Sequence, residues 1–355
     1  MAVIDADCHV IECDRTWDYF DEGESRYKPL LLTDADQRRF LSIDGRLRSA
    51  GVAAEGRSGR GAREAREEMA GFSRTSEAMR TMEDVEGRLR HMDELGVDIQ
   101  VLFPTSMALG QITPKPAVET ALCRSYNHWM ADVCGKGDGR LRWIAAPPLL
   151  DIDESIRQMR WSADQGACGI RVRGFEGDRL CSDPYFFPVY EEAGRLNLAV
   201  TFHAGNANPS FNTLVAGSAW ASNKVPVMSA FQVLIYNEVP AKFPDVRWGF
   251  IEAAASWVPY MLIDLDRRMI RDGKTPLGAS PLKDNNFYVA CQTNDDFEHI
   301  IQHAGEDNLV IGSDYGHSDT SSELEALKNF EQLCELPHAV VHKILEVNPA
   351  ALYGL

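Results

Sequence analysis

The chain has 355 residues, 45% of them hydrophobic and 25% charged, the balance of an ordinary globular protein. No apolar stretch approaches the roughly 20 residues of a membrane helix, so no membrane role is expected. With 36 basic against 53 acidic residues the net charge is −17, which repels polyanions and argues against nucleic acid as a partner; a small anionic ligand would need local cations.

The first apolar run, residues 3–7, begins at once, without a basic segment or a small-residue cleavage site. A cytoplasmic protein without a secretory leader is expected. The eight cysteines are scattered with no C-x-x-C, as free packing thiols in a reducing compartment would be. Residues 39–48 read as a hairpin around Asp44-Gly45, and residues 51–80, rich in Gly, Arg, Glu and Ala, read as an insertion over the site. Seven further β-branched or aromatic runs follow at 98–103, 141–147, 169–172, 198–203, 246–251, 287–290 and 309–311. Helical patterns alternate with them at 82–95, 117–133, 152–163, 184–193, 225–237, 257–270, 295–304 and 321–333, and residues 338–355 read as a final helix. The count and length predict an α/β fold, a (β/α)8 TIM-like barrel as one domain over 1–355, with a lid-like insertion at about 33–80 after strand 1 and a C-terminal helix. An open doubly wound sheet would want a glycine-rich phosphate turn after a strand, and none appears.

Side chains two apart on a strand share a face, so Asp7 and His9 at the end of the first run project together. The fifth run ends in His203 and the eighth leads into Asp314. In a barrel all four lie at the C-terminal ends of strands, the face that carries catalytic groups. Two imidazoles and two carboxylates balance the charge of one divalent ion, and their nitrogen and oxygen donors suit Zn, Fe(II) or Mn. Arg173 and Arg171, on one face at the end of the fourth run, could clamp a substrate carboxylate or pair with a barrel acid. Asn206 and Asn208 bind substrate or shape their turn, and Trp257 is a pocket wall or the packing residue of a helix start. His128 reads as structural.

The segments IDADCH, FHAGN, FPDVRWGFIEAAASWVPYML, GSDYGH and ILEVNPAALYGL together resemble the amidohydrolase superfamily. The likeness is to the branch that contains aminocarboxymuconate semialdehyde, resorcylate and carboxyvanillate decarboxylases with several hydrolases and hydratases. It implies a metal-dependent barrel enzyme for a small-molecule substrate, in many members a homodimer. Many members open on His-x-His; Asp7-Cys8-His9 is closer to the Glu-x-His of the aromatic acid decarboxylases. In those decarboxylases strand six usually ends in a proton-transferring histidine, where Glu252 stands here, and no lysine ends strand four to bridge a second metal. The resemblance makes Asp314 the residue that binds or flanks the metal and takes a proton from water. Glu252 is then a proton shuttle or an acid paired with an arginine, and His317 an oxyanion stabiliser or a support for Asp314. The reading that fits Glu252 is a metal-dependent hydrolase, in which water activated on one divalent ion attacks an ester, thioester, lactone or amide carbonyl of a small organic acid derivative. The alternative is a metal-dependent non-oxidative decarboxylase of an aromatic or unsaturated carboxylic acid.

Overall fold

The computed structural model describes residues 2–35, 39–49, 75–107, 112–317 and 320–355. Eight strands follow one another in chain order: β1 (Ile4–Val10), β2 (Ile99–Pro104), β3 (Leu141–Ala145), β4 (Ala167–Val172), β5 (Ala199–Phe202), β6 (Trp248–Phe250), β7 (Phe287–Cys291) and β8 (Leu309–Ile311). All neighbouring pairs are parallel. The ring closes where the Asp314 N–H donates to the Asp7 carbonyl at 2.9 Å and the His9 N–H to the Tyr315 carbonyl at 2.7 Å. This is the (β/α)8 barrel that the alternating pattern predicts, with every strand at its expected place.

The intervening helices are α1 (Val85–Leu95), α2 (Pro116–Gly135), α3 (Ile152–Asp164), α4 (Phe187–Arg195), α5 (Ala219–Tyr236), α6 (Val258–Arg271), α7 (Phe297–Ala304) and α8 (Ala326–Leu333). Their starts are set by caps that periodicity does not weigh. Asp84 accepts from the Gly87 N–H and starts α1 three residues later than expected, while Ser218 accepts from the Ala221 N–H and starts α5 six residues earlier, with Pro226 carried inside the helix. Two apolar layers result. Ile4, Ala6, Val101, Phe103, Ile144, Ala199, Ile251 and Val310 fill the barrel, and the larger cluster, with Phe202, Trp248, Phe250 and Phe287 at its aromatic centre, lies between strands and helices.

Two local irregularities aim the site residues. The β1–β2 register slips by one residue between Asp5 and Cys8, a bulge that changes the alternation of β1. Ile4 and Ala6 pack inside the barrel, Cys8 and Val10 pack outside it, and Asp7 and His9 both reach the centre of its mouth. On the facing strand, a Cβ at Gly312 would lie 2.3 Å from the Asp7 Cβ, so only glycine lets β8 approach β1 closely enough for closure.

After β1, Leu30–Thr33, Arg39–Ile43 and Arg46–Ser49 form an antiparallel three-stranded sheet whose tight turn is Asp44-Gly45, as the sequence predicts. Of the expected 51–80 insertion, Glu77–Arg80 is a helical turn and residues 51–74 lie outside the described residues. The tail runs through His338–His342, a π-helical turn at Lys343–Val347 and Asn348–Tyr353. It locks onto the barrel where the Tyr353 hydroxyl donates to the Ala6 carbonyl at 2.7 Å and Asn348 to the Leu309 carbonyl at 2.7 Å. All eight cysteines are free thiols. Among the described residues no helix is long and apolar enough to cross a membrane.

Candidate metal centre

Asp7, His9, His203 and Asp314, all buried, meet at the mouth of the barrel. The His9 and His203 Nε2 atoms are 3.0 Å apart, Asp7 Oδ1 lies 3.2 Å from His203 Nε2 and 3.6 Å from His9 Nε2, and Asp314 Oδ1 lies 3.4 Å from His9 Nε2. Four donors each about 2.0–2.2 Å from a tetrahedral ion would stand about 3.3–3.5 Å from one another. Asp7, His9 and His203 lie at such separations and form one cluster within 4.8 Å, while Asp314 joins His9 in a second cluster with Glu252 and His317.

Hydrogen bonds on the far side of each ring decide which nitrogen carries the proton. His203 Nδ1 lies 3.2 Å from Glu252 Oε2, a pairing that places a proton on Nδ1. The Thr105 hydroxyl donates to the Val10 carbonyl at 2.8 Å, so its oxygen accepts from His9 Nδ1 at 3.3 Å and from His317 Nε2 at 2.9 Å. Both rings therefore turn Nε2 towards the centre, where two bare nitrogens 3.0 Å apart require a cation between them or a proton on one. Burial pulls the His203 imidazole down, but the surrounding carboxylates of Asp7, Glu252 and Asp314 outweigh it and hold the ring above its ordinary 6.5. Burial, with His317 and His203 alongside, pushes His9 well below the same value. Glu252 (φ 60°) and Asp314 (φ 51°), after β6 and β8, are two of the nine non-glycine residues with left-handed backbone among the described residues.

The supporting residues divide differently from the sequence reading. His317 Nδ1 is 2.8 Å from Asp314 Oδ1, its ring stacks on His9 at 3.7 Å, and its side chain keeps 15% exposure, the most open of the site imidazoles. Ser322 donates to Asp314 Oδ2 at 2.6 Å. An oxygen of Glu252 lies within 4.8 Å of donor atoms of His9, Asp314 and His317, yet its close contacts are His203 and Lys224, whose Nζ is 3.2 Å from Oε1. Glu252 is therefore paired, with a lysine rather than an arginine. Arg173 is paired as well: it is bidentate on Glu176 at 2.6 and 2.8 Å and donates to the Met107 carbonyl at 3.0 Å, with Arg171 on the same carbonyl at 2.5 Å. Asn206 bonds Asn212, Ser222 and the Asn208 N–H, and Asn208 caps the helix Pro209–Leu214, so both shape the turn. Trp257 donates to the Ala253 and Ala254 carbonyls and packs on Phe231 at the start of α6. His128 stacks on Trp161, a structural contact.

The sequence reading did not single out Thr105 or Lys224. Glu12 accepts from the N–H groups of Thr105, Ser106 and Met107 and so fixes the segment that carries Thr105. Asp5 binds Ser313 by N–H and hydroxyl, and burial pushes its carboxyl up to about 6. Neither acid reaches the centre. Position was a usable signal for Thr105, which follows Pro104 at the C-terminal end of β2, where a barrel carries its site.

Comparison with known proteins agrees with the fold. The chain is 21% identical over 262 residues, 70% of its own length and 72% of the relative's, to 2-amino-3-carboxymuconate-6-semialdehyde decarboxylase of Dictyostelium discoideum. It is 27% identical over 143 residues, 38% of its length and 43% of the relative's, to gamma-resorcylate decarboxylase of Rhodococcus jostii (strain RHA1). The fold superposes on an amidohydrolase from Mycobacterium avium subsp. paratuberculosis K-10 with a TM-score of 0.78 over 99% of both chains at 17% identity. The amidohydrolase family model matches residues 4–355, and the chain belongs to that family.

Proposed function

We propose that this protein is a metal-dependent, non-oxidative decarboxylase of a small aromatic or unsaturated carboxylic acid. The observation that carries the reading is that both curated relatives are decarboxylases. The preference for hydrolysis rested on Glu252 standing where the resembling decarboxylases carry a proton-transferring histidine; two decarboxylase relatives weigh more than that one position, and with both Glu252 oxygens engaged by His203 and Lys224 the proton would come from another group. Hydrolysis gives way to its alternative.

Asp7, His9, His203 and Asp314 would hold one divalent ion, Zn, Fe(II) or Mn. Bound there, the ion would bind the acid's carboxylate and an adjacent oxygen and draw electron density from the breaking bond. The carbon–carbon bond breaks, its electron pair stays on the ring or alkene carbon as carbon dioxide leaves, and a proton must reach that carbon. His317, held by Asp314 and Thr105 and the most open imidazole of the centre, is the proton donor in this proposal. Arg173 supplies no clamp, since Glu176 and the Met107 carbonyl hold it. A cytoplasmic homodimer that binds neither nucleic acid nor membrane completes the proposal.

The test sets the Mn2+-loaded protein against a panel of hydroxybenzoates and unsaturated acids and, separately, a panel of esters and thioesters. Carbon dioxide release, with one solvent deuterium appearing at the carbon that carried the carboxylate, supports decarboxylation. Release of acid or thiol from the second panel without carbon dioxide from the first overturns it in favour of hydrolysis.

A further inference from the structure

Lys224 lies on α5, 28 residues before Glu252, and its ammonium contacts the Glu252 main-chain carbonyl, Glu252 Oε1 at 3.2 Å and Ser321 Oγ at 2.6 Å. An ammonium has three protons, and these three oxygens match them. A lysine so engaged is not available to a substrate carboxylate. It instead brackets one residue by main chain and side chain, and that residue has left-handed backbone at φ 60°. Glu252 in turn directs its other oxygen to His203 Nδ1 at 3.2 Å, while His203 Nε2 faces Asp7 and His9.

We infer that Lys224 is a positioning residue for the metal centre: by clamping Glu252 in its strained conformation it fixes the tautomer and orientation of His203. The inference rests on the reading of His203 as a metal ligand. A carboxylate behind a ligating imidazole orients the ring and strengthens its donor nitrogen, and losing such a partner costs about 10- to 100-fold in metal affinity. The lysine adds a third member to that chain. Without it the Glu252 carbonyl and carboxylate face each other's dipoles at a left-handed position, and the side chain is no longer aimed at His203.

The experiment measures Mn2+ affinity of the metal-free full-length protein by calorimetry, together with the His203 ring nitrogens by long-range proton–nitrogen correlation at a pH where the ring is neutral. Lys224→Met is expected to weaken Mn2+ binding about 10- to 100-fold and to turn a single Nδ1-protonated His203 into a tautomer mixture. Lys224→Arg is expected to recover most of both. Glu252→Gln should match Lys224→Met, and the double variant should lose no more than either single one. If Lys224→Met does not fold, Ser321→Ala removes one acceptor from the lysine and is expected to weaken binding about three-fold. A folded Lys224→Met, or failing that Ser321→Ala, with parental affinity and an unchanged His203 spectrum overturns the inference. His203→Ala separates the two levels. If it abolishes Mn2+ binding while the lysine variant binds as the parent does, the positioning role alone fails. A parent that binds no Mn2+ ends both.

Discussion

Replacing Thr105 with valine preserves shape at a position only 2% exposed and deletes a single hydroxyl. That hydroxyl joins the Val10 carbonyl at 2.8 Å, His9 Nδ1 at 3.3 Å and His317 Nε2 at 2.9 Å. His317 is partly open, so water can replace its lost partner. Val10 is sealed and its carbonyl is left unsatisfied, whereas His9 keeps a hydrogen bond to the Pro104 backbone. The expected destabilisation is therefore about 1–3 kcal/mol, read by urea denaturation in the presence of a chelator. A second effect is separate. With the Thr105 acceptor lost and only the Pro104 backbone left, His9 holds a bare Nε2 at the centre less firmly, and Mn2+ affinity in the metal-free protein should fall about 10-fold by calorimetry. Thr105→Ser returns the hydroxyl and should restore both quantities. A valine variant that unfolds with the parent and binds Mn2+ within a factor of about two refutes the hydroxyl's role in setting the His9 tautomer.

Arg173→Met strands the buried Glu176 carboxylate and should cost about 3–5 kcal/mol in urea denaturation; a fully stable variant with only a raised KM would instead restore the substrate-clamp reading. His317→Asn should abolish decarboxylation while leaving Mn2+ affinity within about ten-fold of the parent, and undiminished turnover would remove His317 as the proton donor. Burial, with Glu176 nearby, pushes the Glu119 carboxyl from 4.5 up to about 7. The folded protein then keeps a proton that the unfolded chain releases between those values, so stability from this group falls by up to roughly 3 kcal/mol as pH rises from 4.5 to 7. Glu119→Gln should abolish that fall, and unfolding midpoints of parent and variant that run parallel across the window would contradict it.

The barrel was legible because its signal is repeated: eight apolar runs of strand length, each followed by an amphipathic pattern, leave few other architectures. The four candidate ligands were legible because each sits where an apolar run meets its loop. Their supports were not. Apart from Thr105, which its strand-end position could have marked, Lys224 and Glu12 act through hydrogen bonds to residues 28 to 97 positions away, and no local pattern marks a lysine within a helix. Arg173 was ambiguous for a related reason, since its end-of-strand position is the same whether the guanidinium faces a substrate or Glu176 three residues on. Asn206 looked equally suited to bind substrate or to shape a turn, and only its contacts with Asn212 and Ser222 separate the two.

Glu252 shows how a single-position comparison can point the wrong way. Where the resembling decarboxylases carry a neutral histidine, a carboxylate seems hostile to an anionic acid, because two like charges roughly 4 Å apart at an effective dielectric of about 20 repel by about 4 kcal/mol. In the proposed site Asp7 and Asp314 would already balance a dication, so an unpaired Glu252 would make the centre repel its own substrate. Lys224 at 3.2 Å removes that excess, and the Glu252–Lys224 pair carries the same net charge as the histidine it stands for. What the pair does not replace is the proton. The two Glu252 oxygens face an ammonium and an imidazole rather than a substrate carbon, so if this barrel decarboxylates, the acid must come from another wall of the site, and the imidazole next to Asp314 is the group placed to supply it.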